Sequence, residues 1–519
     1  MFIFDLLLFI LVLGVIILIH EAGHFYFAKR AGILCHEFSI GMGPALYQKR
    51  KGETIYSIRG IPIGGYVSMA GESVNDALIK KEQVIGINLN QQEQIIHIIL
   101  NSEVKSDVVG IVKNFDLYGK DFNELFITLE VEGVSKTYQV LRDASYKISE
   151  KKEMWITPSE KSFESKTLWQ RFLVIFAGPF MNFILAFVLF FIIGFFVMKP
   201  NLDSSELGGV AAKYPADLLE LQKGDIITEI NGITISEWSD VSLAMGSVNS
   251  AFLTLSYTRD GILYQETDVP VVVAIQTAGI TNVTENGLTI YNDDPIIGRV
   301  YGRADKGEEL KPGDIIQQIT IDNIIYPISN WNDIINVFLT HKSGEVSIRY
   351  ERSSDVRTKT YELISDTALA KLGAPALSFQ LGISPTSSFD LGYSLSYSYK
   401  AFYGNMMDVF VTLGLLFNQN EEIGITDLSG PIGIFGLVSQ TASQGLLSIL
   451  GFTAFLSINI GMLNLLPIPA LDGGRLVFLG IEAVTRRPLN RKFENTVNNI
   501  MFFLLLALFV FVAFNDIFG

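Results

Sequence analysis

Four long apolar runs, separated by polar stretches, dominate the pattern of hydrophobic and polar positions along the chain. A helix that crosses the hydrocarbon core of a bilayer needs about 20 consecutive apolar residues. The pattern therefore predicts transmembrane helices within residues 1–28, 169–198, 446–475 and 498–516. We expect a polytopic α-helical membrane protein.

A weaker apolar stretch covers residues 391–418 and is interrupted by Lys400, Asn405 and Asp408. Polar residues at such intervals are typical of an amphipathic helix that lies on the membrane surface. A fifth transmembrane helix is the competing interpretation.

Basic residues near the ends of the apolar runs predict the orientation, because cytoplasmic loops carry an excess of Lys and Arg. The basic residues that decide it are Lys29, Arg30, Lys49, Arg50, Lys51, Lys166, Arg171, Arg475, Arg486, Arg487, Arg491 and Lys492. They place the segments after the first, before the second and after the third run in the cytoplasm. The region 199–445 and both termini are then extracytoplasmic, which agrees with an even number of helices, whereas a fifth would break the agreement.

A membrane-associated β-hairpin is expected within residues 29–71. Alternating residues at 54–58 predict a strand, Pro62, Gly64 and Gly65 predict a turn, and residues 66–69 return as a second strand. The edge of such a hairpin can accept an extended peptide as an added strand. An ordinary cytoplasmic hairpin is the alternative. Residues 72–168 are polar and mixed, and we expect a cytoplasmic α+β insertion there.

The extracytoplasmic region contains an internal repeat. A Gly-Asp-Ile-Ile sequence follows Lys223 and again Pro312, and each copy is followed by a tryptophan, Trp238 or Trp331. The pattern resembles PDZ domains and predicts PDZ-like α+β domains at residues 203–275 and 286–385, the second more divergent. Such domains bind peptides by strand addition. A purely structural pair of β-rich domains is the alternative.

Composition fits this picture and excludes some functions. The 519 residues are 49% hydrophobic and carry a net charge of −15, so nucleic-acid binding is not expected. The single cysteine, Cys35, excludes an internal disulfide and a multi-cysteine zinc site. Its neighbour His36 leaves a pair without further ligands, which favours a structural role. The first apolar run lacks a basic leader and a small-residue cleavage site, so we expect it to be retained.

The chemistry is concentrated at the end of the first apolar run, in the sequence His20-Glu21-Ala22-Gly23-His24. Histidines at positions i and i+4 share one face of a helix and can bind one Zn²⁺, with the glutamate as general base. Asp472 follows the third apolar run at what the orientation predicts to be the same cytoplasmic end. A carboxylate there can be the third ligand of an open zinc site.

Six motifs carry a resemblance to a known family. They are H-E-A-G-H at residues 20–24, F-S-I-G-M-G-P at 38–44, I-P-I-G-G-Y-V at 61–67, A-G-P-F-M-N at 177–182, L-S-G-P-I-G at 428–433 and N-L-L-P-I-P-A-L-D-G at 464–473. The chain resembles the site-2 protease family of intramembrane zinc metalloproteases, in its bacterial RseP/RasP-type branch. The matches run over nearly the whole chain.

The resemblance implies an endoprotease that cuts single-span membrane proteins, such as trimmed anti-sigma factors, or remnant signal peptides. It implies His20, His24 and Asp472 as zinc ligands and Glu21 as the catalytic base. Substrate binding is implied for Asn464 and Pro467 in the motif at residues 464–473 and for Gly64 and Gly65 in the hairpin. The PDZ-like domains would then filter substrates by size or prior trimming.

Three other functions remain as alternatives. A scaffold that holds partners through the repeat would need neither metal nor Glu21. A soluble-type zinc protease tethered to a membrane would carry its histidine motif in a soluble domain. A transporter with intramembrane acidic groups would not need the histidine motif.

Overall fold

The structure of the protein is a computed structural model that describes residues 2–71, 77–101, 103–120, 123–149, 153–283, 293–305, 310–371, 373–416 and 430–518. The chain divides into two compact units, Met1–Leu189 with Leu437–Ala507, and Phe190–Gly436 with Leu508–Gly519.

The N-terminal part contains two long helices separated by β-strands. In chain order the elements are α1 (Phe2–Arg30), β1 (Cys35–Lys51), β2 (Thr54–Met69), β3 (Val84–Leu89), β4 (Ile95–Ile99), β5 (Val108–Asp116), β6 (Phe126–Val131), β7 (Val134–Lys147), β8 (Glu153–Trp155) and α2 (Leu168–Gly194). Short 3₁₀ turns precede α2 at Ser159–Lys161 and Phe163–Ser165.

The central part is rich in short strands. Its elements are β9 (Lys199–Pro200), β10 (Leu207–Val210), α3 (Pro215–Leu218), β11 (Ile226–Ile230), β12 (Ile233–Thr234), α4 (Trp238–Gly246), β13 (Phe252–Arg259), β14 (Ile262–Pro270), β15 (Val272–Ile275), β16 (Ile280–Thr281), β17 (Arg299–Val300), β18 (Ile315–Ile321), β19 (Ile324–Pro327), α5 (Trp331–Thr340), β20 (Glu345–Arg352), β21 (Asp355–Glu362), α6 (Asp366–Lys371), β22 (Leu377–Gln380), β23 (Ile383–Pro385) and β24 (Ser387–Ser388).

Helices make up the C-terminal part. They are α7 (Leu391–Leu416), α8 (Pro431–Ser443), α9 (Leu446–Leu465), α10 (Asp472–Thr485) and α11 (Arg491–Phe518). Helix α8 begins at Pro431 within the L-S-G-P-I-G motif, of which Leu428 and Ser429 lie outside the described residues. The Asp516 carboxylate accepts hydrogen bonds from the backbone N–H groups of Gly430, Ile432 and Gly433 at this helix end.

Among the described residues, four helices are long and apolar enough to cross a membrane: Phe2–Arg30, Leu168–Gly194, Leu446–Leu465 and Lys492–Phe514. They correspond to the four apolar runs and fit the predicted multi-pass α-helical membrane protein. Helix α7 is not among them. Its position on the membrane surface stays a prediction.

The third transmembrane helix, expected within residues 446–475, is α9. Helix α9 ends at Leu465, and a new helix starts at Asp472. Pro467 and Pro469 lie in the intervening turn, where the missing proline N–H groups stop the helix. Asp472 is therefore the first residue of α10 and not the end of a span.

The hairpin expected within residues 54–69 also differs from the structure. Residues 55–58 and 65–68 do not pair with each other, because both lie opposite residues 37–40 of β1, to which residues 65–68 run antiparallel. Phe38, for example, is opposite Val67 on one side and Tyr56 on the other. The last stretch of β2 is left at the edge of this sheet in the part of the chain that the structure describes.

The insertion is all-β among its described residues, so the expected α+β class was wrong. Strands β4, β3, β5, β6, β7 and β8 are neighbours in that order. A parallel pairing of β4 with β7 closes the sheet on itself. Its interior is a cluster of buried apolar side chains that includes Ile87, Ile98 and Leu129. The alternation of apolar and polar residues in each strand can be seen in the sequence. The closure of the sheet cannot, because it depends on the pairing of β4 with the distant β7.

The repeat in the central region gives two sheets of the same topology. Strands are ordered β12-β11-β13-β14 in one and β19-β18-β20-β21 in the other. A helix begins at Trp238 in the first copy and at Trp331 in the second. Each copy buries the aspartate of its Gly-Asp sequence against an arginine two strands on, as Asp225–Arg259 and Asp314–Arg352 pairs of 2.7 Å. The two copies are therefore duplicates in structure as well as in sequence.

Candidate metal centre

The buried face of α1 carries the two histidines. Apolar residues of this helix are buried at Phe9, Val12 and Ile16, and the same stripe continues into His20 and His24. Both imidazoles are less than a tenth exposed. Because a buried polar group requires partners, the surroundings of these rings show what they can do.

Three donor atoms from His20, His24 and Asp472 meet at one point. The Nε2 atoms of the two histidines are 3.2 Å apart. The Oδ2 atom of Asp472 lies 3.2 Å from Nε2 of His20 and 3.3 Å from Nε2 of His24. These are the residues that the structure brings together as a group able to hold a metal ion within its described part.

The spacing of the three donors fits zinc. Bonds of about 2.0–2.2 Å at tetrahedral angles put two donor atoms about 3.3–3.6 Å apart. The three observed separations of 3.2, 3.2 and 3.3 Å approach this range. Two neutral imidazoles and one carboxylate are also the donor set of open zinc sites, which leave a fourth position for water or substrate.

Residues of helix α2 contact the Nδ1 atoms of both histidines. The Nδ1 atom of His24 lies 2.8 Å from the backbone carbonyl oxygen of Val174, so this N–H donates to it and Nε2 is left free to bind a metal. The Nδ1 atom of His20 faces the side-chain amide of Asn182 at 3.3 Å. Val174 and Asn182 are separated by about two helical turns and share one face of α2.

Gly178 lies between these two residues and is a functional position that sequence reasoning did not connect to the metal centre. A methyl group on Gly178 would overlap Nε2 and Cε1 of His24 and would lie 2.9 Å from Cε1 of His20. Only glycine leaves room for both imidazoles. The signal in the sequence was the A-G-P-F-M-N motif at residues 177–182, which contains both Gly178 and Asn182.

The turn between α9 and α10 explains why Asp472 reaches the histidines. Ala470 adopts a φ of 75° in this turn, two residues before the aspartate, a backbone conformation that is uncommon outside glycine. The α-carbons of Gly473 and Gly474 pack directly on backbone carbonyl groups of the turn, with Leu466 and Ile468 among their contacts. Larger residues would push α10 away, so the Asp-Gly-Gly sequence holds the carboxylate in place.

A cavity of about 200 Å³ opens at the three donors. It is lined by His20, Glu21, His24, Tyr66, Val67, Met69, Asn464, Ala470, Leu471, Asp472 and Arg475. Glu21 is thus next to the donors, as a general base requires. Asn464 lines the cavity from the end of α9, and residues 66, 67 and 69 bring the edge of β2 to it.

The other residues for which substrate binding was expected lie around this cavity and do not line it. A methyl group on Gly65 would be 3.3 Å from Cγ of Glu21 and 2.8 Å from the carbonyl oxygen of Ser39, so this glycine allows β2 to approach the base. Gly64 has a φ of 90° and turns the strand just before it. Pro467 is exposed in the turn after α9.

A cluster of hydrogen-bonded polar side chains around Glu37 includes Tyr66 of the edge strand. The Glu37 carboxylate accepts hydrogen bonds from Arg59 at 2.7 Å and from the hydroxyl groups of Ser57 and Tyr66. Burial opposes its charge, but these bonds hold the pKa of Glu37 below its usual value. Burial and the adjacent Glu37 raise the pKa of Tyr66 to about 12, so this tyrosine stays neutral at the cavity wall.

Cys35 and His36 are not part of the metal-binding group. The buried Cys35 thiol contacts the Ile33 carbonyl oxygen at 3.8 Å. Burial and the nearby Lys29 lower the pKa of His36 to about 4, so the ring is neutral. Both observations agree with the structural role expected from the sequence.

Comparison with known proteins finds similarity to zinc metalloproteases over nearly the whole length of the chain. The profile of Peptidase family M50 matches residues 8–508. The zinc metalloprotease RasP of Shouchella clausii is 30% identical over 515 residues, which cover 99% of this chain and 98% of the relative. The regulator of sigma-W protease RasP of Bacillus subtilis is 30% identical over 525 residues, covering 100% of this chain and 99% of the relative.

Proposed function

The chain belongs to peptidase family M50, the site-2 family of zinc metalloproteases, and from that premise we propose that it is an intramembrane endoprotease that cleaves transmembrane segments of single-span proteins. The observation that carries the proposal is the convergence of His20 and His24, in a helix able to span a membrane, with Asp472, which follows another such helix after a short turn. A soluble zinc protease has no need to place its metal ligands there.

His20, His24 and Asp472 would hold the zinc. The bound ion supplies a Lewis acid that polarises the scissile carbonyl group and brings the pKa of water to about 7. The carboxylate of Glu21, which lines the same cavity, takes the proton from the attacking water. It then delivers this proton to the leaving amine, so the base returns to its starting state.

The substrate must present an extended segment, because a helical amide is surrounded by its own hydrogen bonds. The edge of β2 at residues 66–69 offers backbone groups to such a segment beside the cavity. Gly64 and Gly65 allow the strand to turn and to approach Glu21. The amide of Asn464 lines the opposite part of the cavity, where it can bond to a substrate backbone, and Pro467 ends the helix that carries it.

The sidedness follows from the basic residues of the loops. Both termini and the duplicated β-rich region would be extracytoplasmic, and the metal centre would lie near the cytoplasmic side, where water reaches it. The duplicated sheets would be PDZ-like domains, at residues 203–275 and 286–385, that admit trimmed substrates and exclude larger ones. Peptide binding by strand addition is a further property that this assignment suggests.

Substrates of this class are single-span membrane proteins that have already lost most of their extracytoplasmic part, and remnant signal peptides. The name of the Bacillus subtilis relative, a regulator of sigma-W, supports membrane-bound anti-sigma factors among them.

The test is to trap substrates on the Glu21→Gln variant in native membranes and to identify them by mass spectrometry, with His20→Ala as a variant that should lack the metal. We expect single-span proteins and signal-peptide remnants to accumulate on Glu21→Gln. Capture of soluble proteins alone would contradict the proposal.

A further inference from the structure

The buried side-chain amide of Asn182 faces Nδ1 of His20, the ring nitrogen that points away from the proposed metal. Asn182 lies in the apolar helix α2 and is fully buried. Its side-chain nitrogen is 3.3 Å from Nδ1 of His20, and its Oδ1 atom is buried with no hydrogen-bond partner in the described part of the chain. Polar side chains in membrane helices are costly and commonly functional.

The tautomer of His20 decides which amide atom must face it. Nε2 of His20 lies 3.2 Å from both Nε2 of His24 and Oδ2 of Asp472, so Nε2 has to offer its lone pair to the metal. A neutral imidazole then carries its proton on Nδ1, which needs an acceptor. An amide NH₂ group cannot accept, but an amide oxygen can.

Rotation of the amide by half a turn resolves this mismatch. Amide oxygen and nitrogen atoms are nearly indistinguishable by shape, and their assignment follows from the hydrogen bonds they make. With the two atoms exchanged, Oδ1 of Asn182 accepts the N–H of His20 and is no longer without a partner. His24 already has this arrangement, since its Nδ1–H group donates to the Val174 carbonyl oxygen.

The position of Asn182 is held from the other side as well. Its backbone carbonyl oxygen accepts a hydrogen bond of 2.8 Å from the hydroxyl group of Ser457 in α9, and Ser457 is fully buried. Gly461 of the same helix packs on Asn182, because a methyl group there would lie 3.3 Å from its Cβ. Asn182 therefore contacts α1, which carries the histidines, and α9, which precedes Asp472.

We propose that Asn182 is a positioning residue whose Oδ1 atom accepts the Nδ1–H of His20 and thereby directs the Nε2 lone pair of His20 at the zinc. An amide does this without adding a charge inside the membrane helix. Outer hydrogen bonds of this kind orient metal-bound histidines, and their loss weakens metal binding about 10–100-fold. The inference rests on the proposed zinc centre.

The experiment measures zinc affinity on the purified full-length protein, by competition with a chromophoric chelator, for the wild type and four variants, of which His20→Ala tests the metal centre itself. Asn182→Leu removes the acceptor and should weaken zinc binding about 10–100-fold. Asn182→Asp keeps an oxygen acceptor and should retain an affinity near that of the wild type. Asn459→Leu is the matched control, because this amide bonds to the Phe455 carbonyl oxygen of its own helix, away from the metal.

Thermal unfolding shows whether Asn182→Leu loses zinc because the protein is misfolded or because His20 is no longer oriented. The metal-free Asn182→Leu protein should unfold near the temperature of metal-free Asn459→Leu, and the stabilisation by added zinc should be reduced only in Asn182→Leu. Wild-type affinity in Asn182→Leu, or equal weakening in Asn182→Leu and Asn182→Asp, would overturn the inference. If His20→Ala binds zinc as the wild type does, the metal centre itself is wrong, which is a distinct result.

Discussion

Gly178 of the second spanning helix lies against the imidazole of His24 with no space for a side chain between them. A methyl group on this glycine would overlap Nε2 and Cε1 of His24. The contact lets the two helices approach closely enough for Val174 and Asn182 to reach the Nδ1 sides of the histidines. Helix packing and the position of the proposed zinc ligands therefore depend on the same residue.

Replacement of Gly178 by alanine should displace the His24 ring and weaken zinc binding about 10–100-fold, the range for disturbed ligand support. Zinc content and chelator competition measure this directly. Gly14→Ala is the matched control in a spanning helix, since its added methyl group would meet no atom within 4 Å. Full zinc occupancy in Gly178→Ala would show that the two helices can separate without cost to the site.

Asp472→Ala should lose most of its bound zinc, because two imidazoles alone hold the ion more weakly than a three-ligand set. Elemental analysis after dialysis against a weak chelator measures the loss, and added zinc should restore protease activity to the stripped wild type only. Asp408→Ala removes an exposed carboxylate in α7 and should keep its zinc. Unchanged metal content in Asp472→Ala would refute the ligand role.

Gly65→Ala should reduce cleavage while zinc remains bound. The added methyl group would lie 2.8 Å from the Ser39 carbonyl oxygen and 3.3 Å from Cγ of Glu21, so the edge strand has to move relative to the base. Gly60→Ala is the control in the same strand, where the nearest atom, the Pro44 carbonyl oxygen, is at 3.7 Å. Equal cleavage rates for the two variants would argue against substrate binding at this edge.

Arg259→Met should destabilise the first duplicated sheet, because the buried Asp225 carboxylate loses its bidentate partner. Hydrogen exchange of strands β11 and β13 in the full-length protein reports the change. Arg357→Met breaks an exposed ion pair with Asp355 and should cost less than about 1 kcal/mol. Exchange that is the same in both variants would contradict a structural role for the repeated Asp–Arg pair.

The sequence was sufficient for the features that depend on local spacing. The apolar runs are long enough to predict the spanning helices, and His20 and His24 are related by one helical turn. Asp472 could be proposed as a ligand because the predicted orientation of the loops puts it at the same end as the histidines, and the structure brings it beside them.

Features that depend on non-local pairing were not predictable in the same way. The partner of residues 66–69 is β1, more than twenty positions away, and not the strand before the turn. Closure of the inserted sheet needs the pairing of β4 with β7. The distance between Asn182 and His20 depends on how two helices pack, about which the spacing within either helix says nothing.

The most direct test of the central claim compares the wild type with Glu21→Gln in liposomes that contain a single-span substrate, with the cleavage products sequenced by mass spectrometry. We predict that the wild type cuts within the transmembrane segment and that Glu21→Gln binds zinc at the same stoichiometry but forms no product. Cleavage by Glu21→Gln at the wild-type rate, or wild-type cleavage confined to water-exposed segments, would contradict the account.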